Sequence, residues 1–483
     1  MTDPSAADLD ADVVVIGGGA VGSLVASLLH EARARVLVLE AGPRPPPEID
    51  GAAAQPFAMP DEAPPDGAWR FRSEPEGARW LRARALGGRT RVWGGWCFRA
   101  SEQNVVDAEL AGVPWPLPLR SLDSYYARVE RRLHVVGNRD GLDIVPDGEC
   151  DGPVTLHPDL SALSAALDLP VIAGRIASVG QRPWRGTDAL HGVDVLTETT
   201  VLHVAADDRG VLGVECLVGD GGRRFVRAPS VVLAASAIET ARILSHHGGD
   251  RDGLMLTSAL IASYMVLRDA RAEAVPGVSR AALVPRFVNT PGGVARPYLG
   301  GFSVEVQGPH AASIVGASAA SMLGLSEDAL ARMTLYLVSA FGSMLPSQDR
   351  TVRFDREDRD ALGRPVPVLT LASTDNDRAL GEEMKATCLA VAEALGGPSA
   401  LVIPLAAPDG LSIGSEALHG ARGQHLHDLD VDGHWRGAPG LYVADARHVP
   451  LVGDRHPTLT LLACAARTVD ALLRDRSRGT LVT

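Results

Sequence analysis

Short, wholly apolar runs alternate along the chain with stretches in which apolar residues return every three or four positions. Asp12 to Ile16 is Val-rich with no polar face, the pattern of a strand buried on both sides of a parallel sheet. Glycines follow, then Ala20 to His30 at helical spacing, then Val36 to Leu39, a second buried strand closed by Glu40-Ala41-Gly42. This is a βαβ unit of about the usual 30 residues. Pro43 to Pro65 predicts an irregular excursion, and Leu122 to Leu133 a helix. Five strands of a β-meander are expected at Val195–Thr197, Val201–Ala205, Leu212–Leu217, Arg223–Val226 and Val231–Ala234. Helices are expected over Ile238–His246, Ser326–Arg332 and Arg378–Leu395. The chain then gives a strand at Leu441–Val443 and a long apolar helix from Thr458 to about Leu473.

Composition narrows the function classes. The 483 residues are 46% hydrophobic, enough for a large core and two or three structural units. A net charge of −13 argues against nucleic acid or an anionic membrane surface as partner. Cys97, Cys150, Cys216, Cys388 and Cys464 are odd in number and far apart, so neither a disulfide framework nor a metal site is expected. Reduced thiols fit a cytoplasmic setting. No run approaches the ~18 apolar residues of a membrane span, and the acidic start lacks the basic region of a secretory signal.

The first chemistry lies at the opening unit. Gly17, Gly19 and Gly22 form G-x-G-x-x-G between a strand and a helix. The first permits the tight turn, the second lets the backbone approach a diphosphate, and the third lets helix lie close on strand. The partial positive charge at the helix N-terminus favours the diphosphate. Glu40, ending the second strand, can accept from both ribose hydroxyls and repels a 2′-phosphate. The fingerprint does not separate NAD from FAD.

Further motifs run along most of the chain: Arg84-Ala-Leu-Gly-Gly-Arg-Thr-Arg-Val-Trp-Gly-Gly95, Val113-Pro-Trp-Pro-Leu, Val231-Val-Leu-Ala-Ala-Ser-Ala-Ile-Glu-Thr-Ala-Arg, Leu345-Pro-Ser-Gln-Asp-Arg-Thr-Val, Gly440-Leu-Tyr-Val-Ala-Asp-Ala, and His456-Pro-Thr-Leu-Thr-Leu. With these the chain resembles the glucose–methanol–choline (GMC) oxidoreductases, nearest their bacterial branch related to pyranose oxidases. The resemblance implies an α/β fold: a Rossmann-like FAD-binding domain of the p-hydroxybenzoate-hydroxylase-like kind, with a smaller α+β substrate domain built on an antiparallel sheet. It divides the chain into an FAD-binding part at 8–255 and 430–483, with a lid region at about 43–150, and a substrate part at 256–429. It sets Gly87, Gly88, Thr90, Trp93 and Gly94 beside the flavin and Val201 at the adenine. Asp445 and Ala446 go to the diphosphate and ribityl chain, Pro457 and Thr458 to the pyrimidine end of the ring. Ala20, Ala41 and Ala235, bordering these motifs, count among the cofactor contacts. A helix starting at Thr458 would aim its dipole at the flavin anion formed on reduction. Some relatives tether FAD through a histidine two residues after the loop hydroxyl. That position is Val92 here, so the FAD is expected to be non-covalent.

Alcohol oxidation removes a hydride and a hydroxyl proton, and imidazole accepts protons near neutrality. The resemblance puts a base-pair histidine immediately before Pro-Thr-Leu-Thr, which is His456. The helix start after it is expected to keep the ring neutral. The other family histidine falls at Leu411 when Gly414-Ser415 is aligned with the family's Gly-Thr. Either His456 acts alone, or His419, His425 or His427 takes the second role. Arg447, His448 and Arg455 are expected to be partly exposed. The expected function is oxidation of a CH–OH group of a sugar, polyol or polyhydroxylated natural product, with oxygen, a quinone or a protein as electron acceptor. The missing histidine motivates an alternative: a lyase or isomerase of the same fold with no net redox chemistry.

Overall fold

A computed structural model of the chain describes residues 9–45, 69–180, 182–219, 221–245, 254–271, 275–286, 296–409, 411–413, 416–419, 429–450 and 453–478. The elements that position the site are, in chain order, β1 (Val13–Ile16), α1 (Ala20–Glu31), β2 (Val36–Leu39), β3 (Asp194–Leu196), β4 (Thr200–Asp207), β5 (Val231–Leu233), β6 (Ala259–Arg268), β7 (Phe302–Ala311), β8 (Thr334–Ser343), α2 (Asp375–Gly396), β9 (Leu441–Val443) and α3 (Thr458–Ser477).

Five short strands form a wholly parallel sheet in the order β3-β2-β1-β5-β9. Leu196, Leu39, Ile16, Leu233 and Val443 stand side by side in register. All five strands therefore end at one level, and whatever follows them lines a single edge. β1, β2, β5 and β9 are buried throughout because both faces are covered. On one face Val13, Val15 and Val38 pack against Leu24, Val25 and Leu28 of α1 and Leu462, Ala466 and Val469 of α3. On the other, Val14, Ile16 and Leu39 meet Val201, Val204, Val214 and Val226 of an antiparallel sheet. Each such side chain contributes roughly 1.5–3 kcal/mol by leaving water.

The five-strand meander is corrected. Only Thr200–Asp207, Gly210–Leu217 and Arg223–Arg227 pair antiparallel; the outer two runs, as β3 and β5, join the parallel sheet. An apolar run signals burial without naming its neighbour. The expected helix at Ser326–Arg332 shrinks to Glu327–Leu330, with Ser326 as its cap. α2 begins earlier than expected, because Thr374 and Asp377 form a reciprocal cap: Thr374 Oγ1 accepts from Asp377 N and Asp377 Oδ2 accepts from Thr374 N. α3 runs on to Ser477 through charged residues, where Arg474 and Arg476 suit the negative end of the helix dipole.

A second, antiparallel sheet runs 401–406, β6, β8, β7, 281–286, 172–173. Its two faces differ. Val266, Val338, Ala340, Phe302, Val304 and Val306 pack on Leu380, Met384 and Val391 of α2. The residues between them carry polar groups: Ser263, Ser339 and Glu305 lie directly opposite one another across β6, β8 and β7. Among the described residues no helix is long and apolar enough to cross a membrane, no group of acidic, His or Cys side chains could hold a metal ion, and the five cysteines are unpaired.

α3 is tied down far from its N-terminus. His434 Nδ1 lies 2.8 Å from Asp430 Oδ2, its Nε2 lies 2.6 Å from Asp475 Oδ2, and Tyr442 Oη donates to the same Asp475 oxygen at 2.8 Å. Burial disfavours the His434 cation, but the two carboxylates outweigh it and raise its pKa above the ordinary value. A raised folded-state pKa adds stability below the unfolded value of about 6.5 and loses it as pH climbs through the folded value. Amide protection at the C-terminal end of α3 should accordingly fall on moving from about pH 6 to about pH 9. In His434→Asn it should be low and flat across that range. Equal protection in wild type at both ends contradicts the clamp.

Candidate active site

The edge where the parallel strands end gathers most residues singled out in the sequence. Gly17, at φ +101°, is where a Cβ would meet the Ala234 carbonyl oxygen at 2.6 Å. A Cβ on Gly22 would lie 1.8 Å from the Gly17 oxygen, which is why α1 packs so close to β1. At Gly19 nothing lies within 4 Å of an added Cβ, and no side chain caps the helix that starts at Ala20. A twelve-residue helix thus offers uncapped N–H groups to open space.

Glu40 is buried beside that turn. Its Oε2 accepts from Gly18 N at 2.8 Å and its Oε1 from Gly42 N at 2.7 Å, with Ala41 between. A carboxylate has about four acceptor positions, so capacity remains for two hydroxyls. Burial raises the Glu40 pKa, and the backbone N–H groups oppose the rise. Ala235 follows β5 on the same edge. Val201 sits on β4, the edge strand of its sheet. These groups fit an extended dinucleotide: N–H donors for the diphosphate, acceptors for the ribose, and an open strand edge for the base.

The loop at 87–95 lies over the turn. Gly87 N donates to Gly18 O at 2.8 Å, and a Cβ on Gly88 would come 3.0 Å from Gly19 Cα. Three of the residues named from the sequence have close protein neighbours here. The Thr90 hydroxyl is committed to the protein, donating to Gly87 O and accepting from Gly186 N at 2.9 Å. Gly94 is small because Trp96 and Gln307 flank it, at 2.8 and 3.3 Å from an added Cβ. Asp445 turns its carboxylate to Arg447 at 2.8 Å and caps the short turn Ala446–His448 that follows β9. Val92 closes the short helical turn, and Trp93 Nε1 donates to Trp184 O at 2.6 Å.

At the far side α3 starts with Pro457 and Thr458. His456 precedes them, packed on Phe341 with ring centroids 4.4 Å apart. Its Nε2 lies 2.9 Å from Oε1 of Glu305, whose side chain is 4% exposed. The contact is an ion pair by distance: Glu305 Oε1 makes no aligned hydrogen bond with the ring or with any other described group. Contrary to expectation, the helix start is not the main influence on the ring. Burial opposes the cation, but the Glu305 carboxylate outweighs it and raises the His456 pKa, with Arg89 pulling the other way.

The other histidines stand elsewhere. His419 is buried in the strand Ala417–His419, with Nε2 3.1 Å from Thr257 Oγ1. His425, His427, Gly414 and Ser415 lie outside the described residues. Arg447, His448 and Arg455 are buried, against expectation: Arg447 pairs with Asp445, His448 Nε2 lies 3.0 Å from Val443 O, and Arg455 pairs with Asp454.

Sequence reading missed the sheet that faces His456. Phe302-Ser-Val-Glu-Val-Gln307 alternates apolar and polar residues, the signal of a strand with one polar face. Gln307 touches the Trp93–Gly94 loop and Glu305 touches His456, two positions apart on β7. Arg89 and Ser236 were also missed; both reach the buried Glu416.

The two glycines give opposed expectations. Gly19→Ala should leave the melting temperature of the flavin-free protein unchanged while weakening flavin retention on gel filtration. Gly22→Ala should lower that melting temperature, because overpacking against fixed backbone costs about 1–3 kcal/mol. Equal behaviour of the two variants contradicts the assignment of Gly19 to a ligand.

Comparison with known proteins agrees with this geometry. A family described as "NAD(P)-binding Rossmann-like domain" matches residues 15–50. Paromamine 6′-oxidase of Streptomyces fradiae is 27% identical, over 96% of this chain and 91% of that protein. Fructose dehydrogenase large subunit of Gluconobacter japonicus is 22% identical, over 98% of this chain and 99% of its own. Among solved structures, pyridoxine 4-oxidase from Mesorbium loti superposes with a TM-score of 0.60 at 17% identity, covering 96% of this chain and 99% of that one. A formate oxidase from Aspergillus oryzae superposes with a TM-score of 0.66 at 14% identity, covering 98% and 100%. Over nearly its whole length the chain is thus similar to enzymes that oxidise alcohols, and its motifs and parallel-sheet edge agree with the resemblance to the glucose–methanol–choline oxidoreductases.

Proposed function

We propose that the protein is an FAD-dependent oxidoreductase that removes hydride from a CH–OH group of a small hydroxylated molecule, with His456 taking the hydroxyl proton. The observation that carries this reading is the meeting of three elements on β7: the Trp93–Gly94 loop at Gln307, and His456 with the start of α3 at Glu305. A flat ring between that loop and Thr458 would have His456 beside its reactive face. The relatives' names supply substrates to try: paromamine, fructose and pyridoxine are all alcohols. The FAD-binding part takes 8–255 and 430–483, and the polar face of the sheet within 256–429 receives the substrate.

FAD, when bound, supplies a two-electron acceptor for the hydride. The chain's own groups do the rest. The uncapped N–H groups at Gly19 and Ala20 hold the diphosphate, Glu40 accepts from the ribose, and Val201 offers backbone to the adenine. Backbone N–H groups at Asp445 and Ala446 serve the diphosphate–ribityl stretch, and Pro457 and Thr458 the pyrimidine end. The dipole of α3 favours negative charge there. Phe341 packs on the His456 ring, which accepts the hydroxyl proton as hydride leaves the carbon. Val92 cannot bond to the cofactor, so FAD is held without a covalent link.

Anaerobic mixing of the purified yellow protein with paromamine, fructose, pyridoxine and further polyols should bleach the flavin absorbance with at least one of them. A protein that keeps its flavin and turns over none of them by bleaching contradicts the oxidoreductase reading. His456→Ala should slow bleaching roughly 10²–10⁴-fold with flavin still bound, since a positioned base is worth that much. Denaturation should release all the yellow colour from the polypeptide; colour left on the chain contradicts non-covalent binding.

A further inference from the structure

Leu411 stands where the resemblance puts the second family histidine, yet among the described residues His456 is not alone. We infer that Glu305 is its positioning residue: a buried carboxylate beside Nε2 of His456 favours the proton on that nitrogen, leaves Nδ1 to accept the hydroxyl proton, and offsets the charge of the imidazolium that results. The inference rests on the proposed alcohol oxidation and adds to it a carboxylate that the family's motifs do not supply.

The geometry supports this in three ways. Glu305 Oε1 is 2.9 Å from His456 Nε2, and the carboxylate side chain is 4% exposed, so little water competes for it. A buried carboxylate is costly unless a charge or donor compensates it, and Oε1 has no aligned donor of its own. Glu305 also belongs to a rigid strand, with both neighbouring strands in place, Leu283 on one side and Ser339 on the other. The partner of His456 is therefore fixed by the sheet and does not depend on a loop. The arrangement has the logic of a carboxylate–imidazole pair in which one ring nitrogen is held so that the other acts as base.

The step balances. The C–H hydride, with its electron pair, goes to FAD; the O–H proton goes to His456; the alcohol leaves as a carbonyl compound. Burial raises the Glu305 pKa and His456 opposes that rise, so the imidazolium formed in the step favours the carboxylate as its neighbour. Other charges face the pair too. Arg89, on the loop over the glycine turn, opposes the cation, and is itself paired with Glu416 at 3.2 Å. Asp454 and Arg455, next to His456 in the chain, pair with each other at 2.8 Å. Asp107 lies beyond them and feels both. Glu305 is the one carboxylate in contact with the ring among the described residues. The raised His456 pKa follows from that contact, so the base is loaded with a proton at low pH and becomes competent as pH rises.

The test reads the imidazole directly and needs no substrate. In FAD-loaded protein carrying ¹⁵N-histidine, the His456 ring signals are identified as those lost in His456→Gln and followed with pH. The wild-type midpoint should lie above the ordinary value of about 6.5. Glu305→Gln, which keeps size and removes charge, should bring it to that value or below. Glu305→Asp, which sets the charge back by one methylene, should fall between. The acid limb of flavin reduction by any alcohol that bleaches the protein should move to lower pH in the Gln variant, with a slower plateau. A wild-type midpoint at or below about 6.5 overturns the inference, as does an unmoved midpoint in the Gln variant. Should the Gln variant not fold, an unmoved midpoint in the Asp variant overturns it equally. Failure of every alcohol to bleach the flavin, with the midpoints behaving as stated, would sink the proposed reaction and leave the pairing itself intact.

Discussion

Everything at this site depends on five parallel strands stopping at the same level. Because Leu196, Leu39, Ile16, Leu233 and Val443 are in register, the segments that follow them emerge side by side. That edge is where a parallel sheet leaves helix N-termini and turn amides facing outward, and where open α/β sheets bind ligands. The burial of the strands on both faces makes the edge rigid. Its sequence cost is glycine at Gly17 and Gly22, where a side chain would strike fixed backbone.

The second sheet solves a different problem. One face is a conventional apolar core against α2; the other carries Ser263, Ser339, Glu305 and Gln307 toward the nucleotide edge. Polar groups on a buried face need partners. Some find them within the sheet, as Ser263 and Ser339 do at 2.7 Å. Glu305 finds His456. The polar residues of β7 are thus both the contact between the two sheets and the lining of the space where substrate is proposed to sit. The same alternation that builds the core on one side places the chemistry on the other.

How much of this was legible in the sequence follows from which signals are local. The opening βαβ unit was, because a Val run, three spaced glycines and a terminal Glu have meaning within about 30 residues. His456 was singled out only through the family resemblance of the Pro-Thr-Leu-Thr that follows it, whereas the helix start at Thr458 was legible in the local pattern. The partners of Val195–Thr197 and Val231–Ala234 were not: an apolar strand does not encode which sheet it enters. The strand that carries His419, a candidate for the second histidine, was not seen either, since three residues are too few to show a period; there His419 is buried and bonded to Thr257. The alternation around Glu305 was visible, but its meeting with His456 is a tertiary event that neither segment announces. The main influence on the His456 pKa was hidden for the same reason: the helix end was visible, the facing carboxylate was not.

The central claim is that a flavin ring lies between the Trp93–Gly94 loop and the start of α3, with the His456 imidazole over it. A crystal structure of the protein soaked with FAD and a non-reacting alcohol analogue tests it most directly. The account predicts a His456 ring nitrogen within hydrogen-bond reach of the analogue's hydroxyl, and the ring's pyrimidine end at Thr458. A flavin bound elsewhere, or an analogue hydroxyl held by other groups with His456 turned away, contradicts it.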